Sequence, residues 1–105
     1  MRIITDFQKK VYALTKKVPR GKVTTYSAIA KKLKSSPRAV GQALRVNPFA
    51  PVVPCHRVIK SDGTIGGFSG ETTGKPIQEK IAMLRKEGVE IKNNKIEKIN
   101  IIDKP

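Results

Sequence analysis

The chain has 105 residues, one cysteine, one histidine, and 22 lysines and arginines against 8 acidic residues, a formal net charge of +14. This length supports one modest core. The lone cysteine excludes an intramolecular disulfide and suits a reducing, cytoplasmic setting; no apolar run approaches the ~20 residues of a membrane-spanning helix, and no secretory pattern opens the chain. A basic surplus of this size favours a polyanionic partner over a membrane.

In chain order, the first helix is predicted from Asp6 to Lys17 with Thr5 as N-cap. Phe7, Val11, Leu14 and Val18 form its apolar stripe at i, i+4, i+7 and i+11, with lysines on the other positions. Val18-Pro19-Arg20-Gly21-Lys22 reads as a turn. A second helix follows the Thr24/Thr25 cap and runs to Lys34, facing inward through Ala28, Ile29 and Leu33. Ser36 caps a third helix that starts at Pro37, carries Val40 and Leu44 inward, and stops at Asn47-Pro48. The second and third helices together match a helix-turn-helix.

Beyond Ala50 the pattern is loop and short strand. Ser61-Asp62-Gly63 is a hairpin-type turn predicted to join Val58-Ile59 to Thr64-Ile65 as a wing. Gly66-Gly67 and Gly70 bracket Phe68-Ser69, backbone suited to close approach by a ligand. Residues 71–76 read as an exposed loop. A last helix is predicted from Ile77 to Lys86, with Ile77, Ile81 and Leu84 on one face and Gly88 as C-cap. From Val89 onward the pattern admits a small hairpin about Asn93-Asn94 or a frayed tail, and residues 89–105 receive no function. The fold expected is one α-rich domain over residues 1–105, winged-helix-like, with a small β wing.

Val53-Pro54-Cys55-His56-Arg57-Val58 holds the only thiol, the only imidazole and a guanidinium, a combination suited to a reactive thiolate. Neighbouring residues on a strand point to opposite faces, so Cys55 and His56 cooperate only if the chain turns there, as Pro54 allows. His56 would then take the thiol proton. A carboxylate would hold the imidazole in the required tautomer, with Glu87 and Glu79 as the candidates from the last helix. An inert buried cysteine beside a surface histidine is the plainer alternative.

Pro54-Cys55-His56-Arg57-Val58-Ile59 resembles the active-site signature of the O6-alkylguanine-DNA alkyltransferases. Thr25-Tyr26-Ser27-Ala28-Ile29-Ala30, Pro37-Arg38-Ala39-Val40-Gly41-Gln42-Ala43-Leu44-Arg45, Asn47-Pro48 and Gly66-Gly67-Phe68-Ser69-Gly70 resemble that family's other blocks, in the same order and at similar spacing. The likeness spans about residues 5–90, the family's C-terminal catalytic and DNA-binding domain. It implies stoichiometric transfer of an alkyl group from guanine O6 in double-stranded DNA to Cys55, which consumes the protein. His56 would act as base through a water, with Glu87 as its partner. Tyr26 would serve the guanine ring nitrogen, and Asn47 would tie the recognition helix to the active-site loop.

By the same resemblance Val58, Phe68, Ser69 and Gly70 would hold the extruded base. Arg38 would fill the gap it leaves in the stack, with Ala39, Gly41, Gln42 and Arg45 along the minor-groove helix and small Ala43 easing its approach. No cofactor or metal is implied, and the partner would be met by a monomer in the cytoplasm or on the nucleoid. The sequence departs from the family pattern in several places. The family's N-terminal domain, with the zinc site some members carry there, lies outside this chain; Phe68 stands where tyrosine is common; Gln42 replaces a small residue; and the loop at 71–76 is longer. Three other functions stay open: an alkyltransferase-like protein that binds lesions without transfer, a plain winged-helix regulator, and a cysteine hydrolase.

Overall fold

The computed structural model describes residues 3–50, 52–66, 74–97 and 100–102. Helix α1 spans Asp6–Lys16 and begins on a reciprocal cap: the Thr5 hydroxyl accepts from the Gln8 N–H at 3.1 Å, and the Gln8 side chain accepts from the Thr5 N–H at 2.9 Å. Strand β1, Thr24–Thr25, leads directly into α2, Tyr26–Leu33, where Thr25 caps the Ala28 N–H. Helix α3, Pro37–Arg45, starts under Ser36, with proline in the first turn, where a missing N–H costs nothing.

These three helices enclose one core of Val11, Tyr12, Leu14, Ile29, Ala30, Val40, Ala43 and Leu44, joined by Val53 and Val58. The buried Tyr12 hydroxyl donates to the Ala43 carbonyl at 2.7 Å, pinning α1 to α3. The inward pair on α2 is Ile29 and Ala30, whereas Ala28 and Leu33 are half-buried. Ala43 belongs to the core as well, so its small size serves helix packing and not the outer face.

The wing differs from its sequence prediction. Strand β2, Val58–Ile59, pairs in parallel with β1, Thr24 opposite Val58 and Thr25 opposite Ile59. The turn at 61–63 does form, with Gly63 N–H on Lys60 O, Lys60 N–H on Thr64 O, and the Asp62 carboxylate accepting from Thr64. Thr64, however, bridges Lys95 of the tail. Val58 and Ile59 are both fully buried, as in a strand covered on two faces, and a hairpin wing would have left one of them in water.

Helix α4 spans Lys75–Lys86, two residues longer at its start than predicted, because Pro76 is tolerated in the first turn; the preceding loop ends at Gly74. Glu87 is its C-cap, and Gly88 follows with φ +91°. Strands β3, Ile91–Lys92, and β4, Lys95–Ile96, form an antiparallel hairpin about Asn93 and Asn94, whose positive φ values of 52° and 59° suit a two-residue hairpin turn. Of the two tail readings the hairpin is therefore the one observed. It is fastened at both ends: Ile65 N–H to Asn94 O, Ile96 N–H to Gly63 O, Val23 N–H to Asn100 O, and Ile102 N–H to Val23 O. A second core results, of Val23, Ile59, Ile65, Leu84, Val89, Ile91 and Ile96. Among the described residues no helix is long and apolar enough to cross a membrane, and no cluster of His, Cys, Asp and Glu could hold a metal ion.

Candidate active site

Pro54 is buried with φ −81° and ψ 70°, and the Cys55 N–H reaches back to Val53 O at 2.8 Å, an inverse γ-turn. A single 3-10 turn, Cys55–Arg57, follows. Successive side chains in such a turn diverge by about a third of a circle, not by half. The bend at Pro54 thus frees Cys55 and His56 from the opposite-face geometry of a strand. Cys55 is half-buried and His56 is buried.

The carboxylate at His56 is Glu87. Its Oε2 lies 3.1 Å from His56 Nε2, while Glu79 projects from the exposed side of α4. An ionised carboxylate only accepts, so Nε2 carries the hydrogen and Nδ1 is the basic position of the ring. Burial pulls the imidazole below its ordinary value; the Glu87 hydrogen bond and charge oppose this, and Arg57 and Lys80 reinforce it. The histidine therefore rests neutral near pH 7. Hydrogen bonds from Arg57 hold the Glu87 carboxyl below the usual range, with His56 adding to the effect.

Arg57 does not turn toward the thiol, as its place beside Cys55 had implied. Its Nε and Nη2 grip Glu87 at 2.9 and 2.7 Å, and its Nη1 donates to Val18 O at 2.9 Å. The cation that senses the thiol is instead Lys80, which the sequence reading missed. It is completely buried, its Nζ donating to Val58 O at 2.8 Å and Ile65 O at 2.6 Å and standing 6.0 Å from the centroid of the Tyr26 ring. Burial draws its ammonium down to about 7, against the upward pull of Cys55. A signal was present: Lys80 interrupts the apolar stripe Ile77, Ile81, Leu84 at an inward position.

Tyr26 stands at the first position of α2, packed on the same core as Cys55. Burial raises its hydroxyl to about 12, with Cys55 adding to the shift, so it stays protonated as a donor. Gly66 passes so close to this ring that a Cβ would sit 3.3 Å from Tyr26 Cε2, and its φ of +75° also excludes larger residues. Of the residues expected to hold a base, both backbone groups of Val58 have protein partners, its N–H on Cys55 O and its carbonyl under Lys80. Phe68, Ser69 and Gly70 lie outside the described residues.

On α3, Arg38, Gly41, Gln42 and Arg45 fall at i, i+3, i+4 and i+7 and share one outward stripe, with Ala39 half-buried beside it; a Cβ on Gly41 would meet nothing within 4 Å. Asn47, just past the helix, donates to Val53 O at 2.9 Å and accepts from Phe49 N–H at 2.9 Å. It thus joins the end of α3 to the turn that presents Cys55.

The family profile described as 6-O-methylguanine DNA methyltransferase, DNA binding domain, matches residues 6–89. A methylated-DNA--protein-cysteine methyltransferase from Thermococcus kodakarensis is 53% identical over 87 residues, 82% of this chain and 47% of that protein. The crystal structure of an O6-methylguanine-DNA methyltransferase from Pyrococcus kodakaraensis superposes with a TM-score of 0.70 at 53% identity, covering 82% of this chain and 48% of that one. The S. pombe ATL protein in complex with DNA gives 0.72 at 38% identity, covering 92% and 91% of the two chains. The chain thus spans about half the length of the curated relatives it matches.

Proposed function

The chain belongs to the family of the 6-O-methylguanine DNA methyltransferase DNA binding domain, and on that footing we propose that it repairs DNA by moving an alkyl group from guanine O6 to its own Cys55. The observation that carries the proposal is the His56–Glu87 contact placed directly beside the only thiol in the chain. His56 Nδ1 takes the thiol proton through a water, and Glu87 stabilises the imidazolium that forms. The thiolate sulfur attacks the alkyl carbon, an S–C bond forms, and the C–O6 bond breaks with its electron pair passing to guanine. Tyr26, kept protonated by burial, donates to the ring nitrogen as that charge arrives.

The base reaches this site only outside the helix. Arg38 takes its place in the stack, while Ala39, Gly41, Gln42 and Arg45 follow the minor groove, where sequence is read poorly. Arg45 and the surface lysines supply salt-dependent phosphate contacts. Val58, through the second lone pair of its carbonyl, and Phe68, Ser69 and Gly70 wall the base pocket. Asn47 holds the recognition helix and the thiol turn in register. The reading takes residues 1–105 as one catalytic and DNA-binding unit acting as a monomer in the cytoplasm or on the nucleoid, with no cofactor.

Intact-protein mass spectrometry after incubation with duplex DNA containing one O6-methylguanine tests this. The expected result is a gain of one methyl group, mapped to Cys55 and saturating at one per protein. A second reading, lesion binding without transfer, is favoured by the likeness to S. pombe Atl1 in complex with damaged DNA containing O6-carboxymethylguanine, which covers 88% of this chain and 83% of that one. Tight binding to the lesion with no mass gain would select it and overturn transfer.

A further inference from the structure

The carboxylate beside His56 is divided unequally between two partners. Arg57 takes both of its oxygens through a parallel fork, Nε to Oε1 at 2.9 Å and Nη2 to Oε2 at 2.7 Å. His56 reaches one oxygen, Oε2, at a longer 3.1 Å. Charge-assisted forked pairs of this kind are strong and directional, so the lone pairs of Glu87 point first at the guanidinium. All three side chains are shielded from water, with exposures of 4% for His56, 11% for Glu87 and 16% for Arg57.

Arg57 does not merely follow Glu87. Its Nη1 is bound to Val18 O just beyond α1, while Glu87 caps α4. The guanidinium therefore sits where the carbonyl ends of two helices meet, a place that favours a fixed positive charge. It would stay anchored if the carboxylate were removed. The charged and titratable groups around His56 are Glu87 and Lys80 from α4, with Cys55 and Arg57 from its own turn.

We propose that Arg57 is a positioning residue that claims the larger share of Glu87 and so limits how far this carboxylate can stabilise a proton on His56. The reasoning rests on the proposed role of His56 as the base for Cys55. A base already protonated at working pH cannot take the thiol proton, and an unshared buried carboxylate would drive it into that state. With Arg57 in place, Glu87 orients the ring and helps when the proton arrives, yet does not hold one there beforehand.

Because the chain has a single histidine, NMR reads this imidazole without overlap. In the intact chain, His56 is expected to titrate below its ordinary value. In Arg57→Gln it should move up by about one unit or more, and in Arg57→Lys, which keeps a charge and loses the fork, by less. In a Glu87→Gln background, where no carboxylate is left to share, the further change Arg57→Gln should shift the imidazole little. That double variant also leaves no buried carboxylate without a partner, so it stays readable if Arg57→Gln alone fails to fold. An unchanged His56 titration in Arg57→Gln or Arg57→Lys would overturn the proposal. So would an equal shift with and without Glu87, which would make Arg57 a distant charge acting on the ring directly. The titration needs no alkyl transfer, so its failure and a failed mass-gain test are separate results.

Discussion

The three-helix half of the molecule and the half beneath the thiol handle charge in opposite ways. Around α1, α2 and α3 the lysines and arginines stay in water, and the core between the helices is almost wholly apolar. Around the Cys55 turn and α4, by contrast, Lys80, His56, Arg57 and Glu87 are withdrawn from water. Exposed charges cost little and act over a screened distance of ~8 Å, which suits adhesion to a polyanion of any sequence. Withdrawn charges must be paired, and among the described residues every buried side-chain nitrogen and oxygen is. Within that half a proton can be held or passed on at a chosen atom. The exposed charges suit attraction and the withdrawn ones suit proton chemistry, with Tyr26 of α2 facing the withdrawn set across the boundary.

The sharpest break between the halves is Cys55→Ala. Transfer should vanish altogether in the mass assay, since no second thiol exists, while affinity for duplex DNA in a binding titration stays as it was. Surviving transfer would sink the assignment of the acceptor. The converse is Arg38→Ala, which should slow action on lesion-bearing duplex about tenfold or more and leave transfer from the free alkylated base largely intact. Equal losses on both substrates would place Arg38 in the chemistry and blur the division. Arg38 lies in the first turn of α3, where a cation opposes the helix dipole, so the same variant should gain slightly in thermal stability. A residue kept against its local cost is more readily explained by a ligand than by the fold.

The two halves also differ in how plainly the sequence declares them. Helical periodicity and side-chain caps are local signals, and Thr5, Thr25 and Ser36 cap as predicted because each needs only the next three residues. The half beneath the thiol is assembled from two-residue strands whose partners lie far along the chain. Thr24 meets Val58, and Thr64 meets Lys95, pairings that no local pattern encodes. The predicted hairpin therefore had the right turn and the wrong neighbour. Lys80 is hidden from the sequence for a related reason: a lysine is expected to be solvated, and only the carbonyls of Val58 and Ile65, brought together by the fold, make its burial tolerable. The Glu87 partner was reachable through the family pattern, but the competing grip of Arg57 was visible only in three dimensions.

A smaller effect tests how costly a withdrawn charge is. The Lys80 ammonium titrates at about 7 in the folded chain, against 10.5 unperturbed. Below pH 7 both folded and unfolded chains hold this proton, and the full cost of burial is carried. Above it the folded chain releases the proton while the unfolded chain keeps it, so stability rises with pH until about 10.5. Urea melts at pH 7 and pH 9 should differ by on the order of 2 kcal/mol more in the native chain than in Lys80→Met. Parallel changes in the two proteins would mean that Lys80 keeps its proton throughout.

The halves must nevertheless keep register, and Asn47 is the smallest piece that joins them. Its amide spans the end of α3 and the Val53 carbonyl, which the Cys55 N–H also uses to close its turn. Asn47→Ala removes one bond to Val53 O and leaves the Phe49 N–H, on an exposed residue, to water. The expected cost is therefore only about 1 kcal/mol in a denaturant melt. Transfer should still slow, because the turn loses its tie to the helix that carries Arg38. If Asn47 only steadies the turn, the rate falls equally on duplex and free base. If it sets the distance between Arg38 and the thiol, duplex suffers more, and the Asn47→Ala and Arg38→Ala losses are less than additive. The second outcome is the one expected, since Asn47 touches the two halves and neither reacting group.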